Sequence, residues 1–171
     1  MTETHAILQR LRDLAVQGAN DSNNDKARAN IATEATSLVS ELDRIAESTN
    51  FNGRKLLDGG AAANGGTAPA AYNLNFQVGA DGDAASAITV NLSSANVSSV
   101  ADALTVRQYD TATGAWEAAG AEVDFSTHAG AQASITAIDA QIESVSTARA
   151  ELGAYQNRFE HTIKNINVAV E

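Results

Sequence analysis

The sequence ITAIDAQIESVSTARAELGAYQNRFEHTIKNINVAV, residues 135–170, decides the fold. One set of positions recurs along it at alternating steps of three and four residues, and nine of its eleven members are apolar. A stripe with this period is typical of a helix in a coiled coil. Such a helix would be about 55 Å long, and it needs partner helices to bury its stripe. The stripe is Ile135, Ile138, Ile142, Val145, Arg149, Leu152, Gln156, Phe159, Ile163, Ile166 and Val170.

Two segments near the N-terminus can supply those partner helices. Residues 5–17 place five apolar side chains on one helical face, namely Ile7, Leu8, Leu11, Leu14 and Ala15. Residues 26–48 carry a second stripe at coiled-coil spacing, formed by Ile31, Ala35, Leu38, Leu42 and Ile45. Asp25 is the expected N-cap of this helix, and the turn at Asn52–Gly53 follows its end.

Between the helices the apolar period changes to two. YNLNFQV and AITVNLS lie within residues 71–92 and predict a β-hairpin, because apolar and polar side chains alternate in both. SSVADALTV, residues 98–106, predicts a short helix, and VRQYDTATGAWEAAG, residues 106–120, predicts a second hairpin. The tract 59–70 is rich in alanine and glycine, and we expect it to be flexible.

These segments together predict a mainly α protein with β-hairpins, an α+β chain. We expect an elongated antiparallel helical bundle or coiled coil, formed by helices 5–17, 26–48 and 130–170. Both N-terminal helices should lie against the long C-terminal one. The hairpins lie in the middle of the chain, so we expect them at one tip of the rod. Both chain ends should then lie at the other tip or along the shaft.

The composition narrows the classes of function. The 171 residues carry a net charge of −10, which argues against partners such as nucleic acid or an anionic membrane surface. The chain has no cysteine and therefore no disulfide framework. The three histidines, His5, His128 and His161, lack metal spacing, and DGD at 81–83 lacks the other ligands of a calcium loop. We find no phosphate-binding or nucleophile motif, and we expect no enzyme activity, no cofactor and no metal.

The chain resembles bacterial flagellin in four stretches, which occur in the order that the family has. They are ETHAILQRLRDLAVQGAN, IATEATSLVSELDRIAESTNFNGRKLLDG, NFQVGADG and TARAELGAYQNRFEHTIKNI. The resemblance implies a structural subunit of the extracellular filament of the bacterial flagellum, with other flagellin subunits as partners. Residues 1–92 and 129–171 would form the conserved D1 core, and residues 93–128 a short variable outer insertion. The terminal segments of the family are absent, which implies a D1 fragment that stays monomeric.

The resemblance also implies a second role, as a ligand of the vertebrate Toll-like receptor that senses flagellin. The receptor-binding motif of the family matches Gln9, Arg10, Leu14 and Gln17 on the first helix and Glu34 on the second. A purely structural interpretation competes with this one: Arg10 would be solvated, Leu14 would belong to the apolar stripe and Glu34 would be surface charge. The residues alone favour the structural interpretation, whereas the resemblance favours the receptor.

Two alternatives stay open. A hook-filament junction protein, another axial coiled-coil protein of the flagellum, shares the helical ends, although FNGRKLLDGG (51–60) and LQRLRDLAVQ (8–17) favour flagellin. The polar residues Arg149 and Gln156 in the long stripe either set the register of the helices or lie at contacts between subunits.

Overall fold

The structure, a computed structural model, describes residues 1–60, 72–79, 86–118 and 120–170, and only the backbone of 167–170. Four α-helices dominate this part of the chain: α1 (Thr2–Gly18), α2 (Asp25–Ser48), α3 (Val97–Asp102) and α4 (His128–Val170). Three antiparallel strand pairs join them: β1 (Asn50–Phe51) with β2 (Arg54–Lys55), β3 (Asn73–Gln77) with β4 (Ala87–Asn91), and β5 (Tyr109–Asp110) with β6 (Ala115–Trp116). The predicted fold class is confirmed, as are the three long helices, the short helix and both hairpins.

Helix α1 lies between α2 and α4 and is antiparallel to both. The Arg12 Nε donates to Asp139 Oδ1 at 2.6 Å, and His128 Nδ1 lies 2.5 Å from the carbonyl oxygen of Ala19. Because residue 12 faces residue 139 and residue 19 faces residue 128, α1 covers only the first half of α4. The main helical neighbours of α2 are α1 and α3. The expectation that both N-terminal helices lie along α4 therefore holds for α1, while α2 packs mainly on the outer side of α1.

Small and medium aliphatic side chains make up most of the main core. Leu8, Leu11, Leu14 and Ala15 of α1 are all at most 1% exposed. They belong to the same buried cluster as Ile31, Ala32, Ala35, Leu42 and Ala46 of α2 and Ala131, Ile138, Val145 and Ala148 of α4. The close approach of the helices follows from the number of alanines at these positions.

The ends of α2 depend on local hydrogen bonds. The side chain of Asn24 accepts a hydrogen bond from the backbone N–H of Ala27 at 2.9 Å, which makes Asn24 the N-cap. The predicted N-cap, Asp25, is instead the first residue of the helix, where its charge favours the positive end of the helix dipole. Beyond the end of the helix, Asn52 and Gly53 have φ values of 51° and 78°. These values allow the tight turn between β1 and β2.

The β3–β4 hairpin lies beside the second half of α4. Ile88, Val90 and Leu92 of this region are buried against Leu152, Tyr155 and Phe159 of α4. Phe76 packs edge-to-face on Phe159, with ring centroids 5.3 Å apart. This hairpin therefore lies beyond the end of α1, beside residues 152–159 of α4. The hairpin packs on the apolar stripe of α4 in the half of that helix that α1 does not cover.

The observed stripe of α4 differs from the predicted one at Arg149, Gln156 and Ile163. Ala148 is fully buried there, whereas Arg149 and Gln156 are exposed to solvent. Neither polar residue therefore sets the register of helices inside this chain. Ile163 is 55% exposed, so no described residue covers the stripe at this position near the C-terminal end of α4.

The segment 93–128 belongs to the main core in its packing. Val97, Val100, Leu104, Val123 and Phe125 are each at most 4% exposed. Gly18 has no side chain, which allows the Phe125 ring to pack against the end of α1. A Cβ at this position would lie 2.8 Å from Phe125 Cδ1. The predicted outer insertion thus contributes buried side chains to the main core, while residues 111–115, in the β5–β6 hairpin, are exposed. The tract 59–70, which we expected to be flexible, falls mostly outside the described residues, and DGD at 81–83 falls entirely outside them.

Candidate functional site: an exposed surface on α1 and α2

Arg10 and Glu34 meet across the groove between α1 and α2. Arg10 donates from Nε and from Nη2 to the same oxygen of Glu34, at 2.8 and 2.5 Å. The two side chains remain 53% and 44% exposed, so a partner can reach both. An ion pair at this exposure contributes at most about 1 kcal/mol to folding. The antiparallel packing of α1 on α2 brings together two residues that are 24 positions apart in the sequence.

Leu14 does not belong to this surface. Its side chain is only 1% exposed and lies in the main core with Leu11 and Ala15. A partner that binds the folded chain therefore has no access to it. Leu14 is therefore the one of the five predicted site residues that a partner cannot contact directly. It supports the site by packing in the core beneath the exposed residues.

Gln9 and Gln17 are both exposed on α1, although they occupy different parts of its surface. The Gln9 Nε2 lies 3.0 Å from Nε2 of His5, one turn earlier. Gln17 lies two turns after Arg10 and hence on the same side of the helix. The backbone carbonyl of Gln17 accepts a hydrogen bond from Nδ2 of Asn23 at 2.6 Å, which ties the end of α1 to the following turn.

Val16 is an exposed apolar residue that the sequence interpretation overlooked. Its side chain is 51% exposed, and it follows Gln9 by seven residues and Asp13 by three, so all three share one face of α1. The sequence itself indicated that one of these apolar residues must be exposed, because Leu14, Ala15 and Val16 are consecutive. A stripe on one side of a helix cannot bury three consecutive residues. A partner of the folded chain can therefore reach Val16, whereas it cannot reach the buried Leu14.

Arg28 fastens the turn between α1 and α2 to the start of α4. Its side chain is buried, and its guanidinium donates to three backbone carbonyl oxygens at 3.1–3.4 Å. These oxygens belong to Phe125, Asn23 and Asn20. Asp21, 3.6 Å away, is the nearest carboxylate and is exposed. Arg28 thus holds the turn and fixes the relative position of the two helices that carry the surface.

A second polar cluster holds the segment that leads into α4. The Nη1 of Arg107 donates to Asp124 Oδ2 at 3.0 Å and to Ser126 Oγ at 2.7 Å. Burial alone would raise the pKa of Asp124, but hydrogen bonds from Ser126 and Arg107 together lower that pKa below its ordinary value. Ser134 of α4 is fully buried, and its hydroxyl accepts from the backbone N–H of Asp124 at 2.8 Å.

Neither a metal site nor a membrane segment is evident in the described parts of the chain. Among those residues, no three side chains of the types that ligate metals come together. No helix in the described ranges combines the length and the apolar content needed to cross a bilayer.

Both ends of the chain match known sequence families. Residues 1–62 match the bacterial flagellin N-terminal helical region, and residues 135–171 match the bacterial flagellin C-terminal helical region. The flagellin of Clostridium tyrobutyricum is 30% identical in an alignment that covers the whole chain and 68% of that protein. The chain belongs to the bacterial flagellin family. The flagellin of Bacillus subtilis is 39% identical over the whole chain, which spans 58% of that flagellin.

Solved flagellin structures share the fold. The crystal structure of Bacillus cereus flagellin is 28% identical, with a TM-score of 0.71, over 96% of this chain and 78% of that one. The structure of FliC from Burkholderia pseudomallei has a TM-score of 0.66 at 20% identity, over 92% of this chain and 95% of that one, and it supports the fold alone. This flagellin-family chain spans little more than half the length of several of the relatives that it matches.

Proposed function

We propose that the chain forms the D1 part of a structural subunit of the bacterial flagellar filament. The main support is the whole-chain similarity to flagellins together with the shared fold. Residues 1–92 and 129–171 would be the D1 core. Residues 93–128 would stand where other members carry larger outer domains, and several of their side chains pack in the main core.

The extracellular filament is the location that this proposal implies, with other flagellin subunits as partners. Exposed apolar side chains on the hairpins and α4, Phe51, Phe76 and Ile163, are available for contacts between subunits. We expect the 171-residue chain to be monomeric when alone in solution. Analytical ultracentrifugation that detects long polymers would contradict that expectation.

Immunogold electron microscopy tests the filament proposal. Antibodies raised against this chain should label intact flagella of the producing bacterium along their whole length. The alternative, a hook-filament junction protein, predicts gold only where the filament joins the hook. Cells without the gene serve as the control for antibody specificity.

We infer in addition that the α1–α2 surface is a ligand for the vertebrate Toll-like receptor that senses flagellin. Four of the matched residues are exposed, namely Gln9, Arg10, Gln17 and Glu34, and Val16 is an exposed apolar residue on the face of α1 that carries Gln9. Arginine is enriched among the residues that anchor protein interfaces. Arg10 is already held in place by Glu34, so less side-chain entropy is lost when a partner binds.

A reporter-cell assay with matched variants tests the receptor proposal. Arg10→Ala should raise the concentration that gives half-maximal signalling by about tenfold or more, as expected for an interface anchor. Arg44→Ala is the control, because Arg44 is an exposed arginine paired to Glu41 on α2, well away from the surface. Both variants should melt within a few degrees of the parent chain. Equal signalling by the two variants would contradict the proposal.

A further inference from the structure

One edge of the β3–β4 hairpin carries backbone groups without partners among the described residues. Two backbone bonds fix the hydrogen-bonded pairs of the hairpin: Leu92 N–H donates to Tyr72 O at 2.7 Å, and Val78 N–H donates to Ser86 O at 2.8 Å. In an antiparallel pair, the residues between such pairs direct their N–H and C=O groups away from the partner strand. Asn73 and Asn75 of β3 are in that position.

On the corresponding edge of β4 one outward N–H has a partner, whereas the outward groups of Asn73 and Asn75 on β3 have none among the described residues. Asn91 of β4 directs its N–H toward α4, where the Tyr155 hydroxyl accepts it at 3.4 Å. Nothing in the described ranges bonds to the outward backbone groups of Asn73 and Asn75. An open strand edge is a template for pairing with another extended chain.

A groove of about 500 Å³ runs along this open edge, between β3 and the β1–β2 hairpin. Consecutive residues of β3 line it, so it follows the edge of the strand rather than one face of the sheet. Phe51, Leu56 and Phe76 supply apolar walls. Phe51 and Phe76 are 72% and 40% exposed, an unusual exposure for two phenylalanines on one small surface.

The charge at this edge groove is opposite to that of the whole molecule. Arg54 lines the groove, is exposed and makes no ion pair with any described residue. Lys55 follows it on β2 and is also exposed. The chain as a whole carries a net charge of −10, so a cationic groove rim is a local feature that attracts carboxylates.

We propose that the edge groove binds an extended segment of another protein as an added strand on β3. The segment pairs its backbone with Asn73 and Asn75. It places apolar side chains between Phe51 and Phe76 and a carboxylate beside Arg54. Strand addition at an open edge gives affinity through main-chain hydrogen bonds, while pockets for alternate side chains give selectivity. An alternation of apolar and acidic residues is therefore the chemistry that this groove selects.

A capped hexapeptide that alternates valine and glutamate is a suitable probe, titrated into the whole chain by isothermal calorimetry. We expect saturable binding with a dissociation constant below about 1 mM. Hydrogen exchange should show new protection of the Asn73 and Asn75 amides, because these become hydrogen-bonded on pairing. An otherwise identical peptide that is N-methylated at all six residues cannot donate to the strand edge and should lose at least about tenfold in affinity.

Charge variants test the role of Arg54. Arg54→Glu should weaken binding of the acidic peptide by about threefold or more and strengthen binding of a valine–lysine peptide. Lys26→Glu is the matched control: it makes the same change in net charge at an exposed position on the far end of α2, about 35 Å along the helix. It should leave both affinities nearly unchanged.

Four results would each overturn the proposal. The first is no saturable binding, and the second is equal binding of the N-methylated peptide. The third is protection of the Asn73 and Asn75 amides in the free monomer, which would mean that another part of the chain holds the edge. The fourth is a dimer in ultracentrifugation that protects the same amides, which would make a second copy the occupant.

Discussion

Leu14→Ala separates a buried packing role from a direct role in receptor binding. Leu14 is 1% exposed and lies in the cluster that joins α1, α2 and α4. The substitution removes three carbon atoms, which at about 0.8 kcal/mol per buried methylene is about 2.5 kcal/mol of transfer free energy. The cavity left behind raises the expected loss to about 3–4 kcal/mol in the free energy of unfolding.

Thermal unfolding followed by circular dichroism measures that loss. For a chain of this size, each kcal/mol lowers Tm by about 2–4 °C, so Leu14→Ala should unfold about 6–16 °C below the parent. Val16→Ala is the matched control two residues away, because its side chain is 51% exposed; its Tm should change little. Below the transition of the Leu14 variant, receptor signalling should fall less than it does for Arg10→Ala.

The opposite pattern would refute this reasoning. If Leu14→Ala lost less than about 1 kcal/mol of stability and abolished signalling in the folded state, Leu14 would contact the receptor directly. The α1 helix would then have to rotate or separate from α2 when the receptor binds.

Two further predictions concern backbone space and pH. Gly18→Ala should destabilise the chain by about 1–3 kcal/mol, because the new Cβ would lie 2.8 Å from Phe125 Cδ1. Gly153→Ala, where nothing lies within 4 Å of an added Cβ, should stabilise α4 by about 0.5–1 kcal/mol; urea unfolding measures both. Asp124→Asn should destabilise the chain at neutral pH, since the lowered pKa of Asp124 means that its charged form stabilises the fold. That stabilisation is present above the ordinary pKa of 3.8 and disappears as pH falls below it, so the parent and the variant should converge in acid. Equal stabilities at pH 7 would contradict the role of the Arg107–Asp124 pair.

The spacing of apolar residues predicted the helices well, because that spacing is set by the number of residues per helical turn and needs no distant partner. The stripe at three and four residues identified α1, α2 and α4 to within a few residues of their observed ends. The same rule could not distinguish Ala148 from Arg149, since a position three or four residues after Val145 fits either. Contact with neighbouring elements decides between them, and Ala148 is the buried one.

The candidate site was predictable in part. The sequence brought Gln9, Arg10, Gln17 and Glu34 together only through the resemblance to flagellin, and all four are exposed. Leu14 matched both the motif and the apolar face of α1, and its burial agrees with the apolar face, because a motif does not record which of its residues face the core. The Arg10–Glu34 bond joins residues 24 positions apart, and no local pattern in the sequence predicts such a contact.

The family came from the resemblance to flagellin, while the sequence by itself determined the helical class, the positions of the turns and the net charge of −10. These properties follow from short-range rules: side-chain period, turn chemistry and charge. Only the tertiary structure decided that the β3–β4 hairpin lies beside α4, that segment 93–128 joins the core and that one strand edge stays open. The physical reason is that burial is a property of two surfaces together. The partner of each surface lies far away in the chain, where no local pattern specifies it.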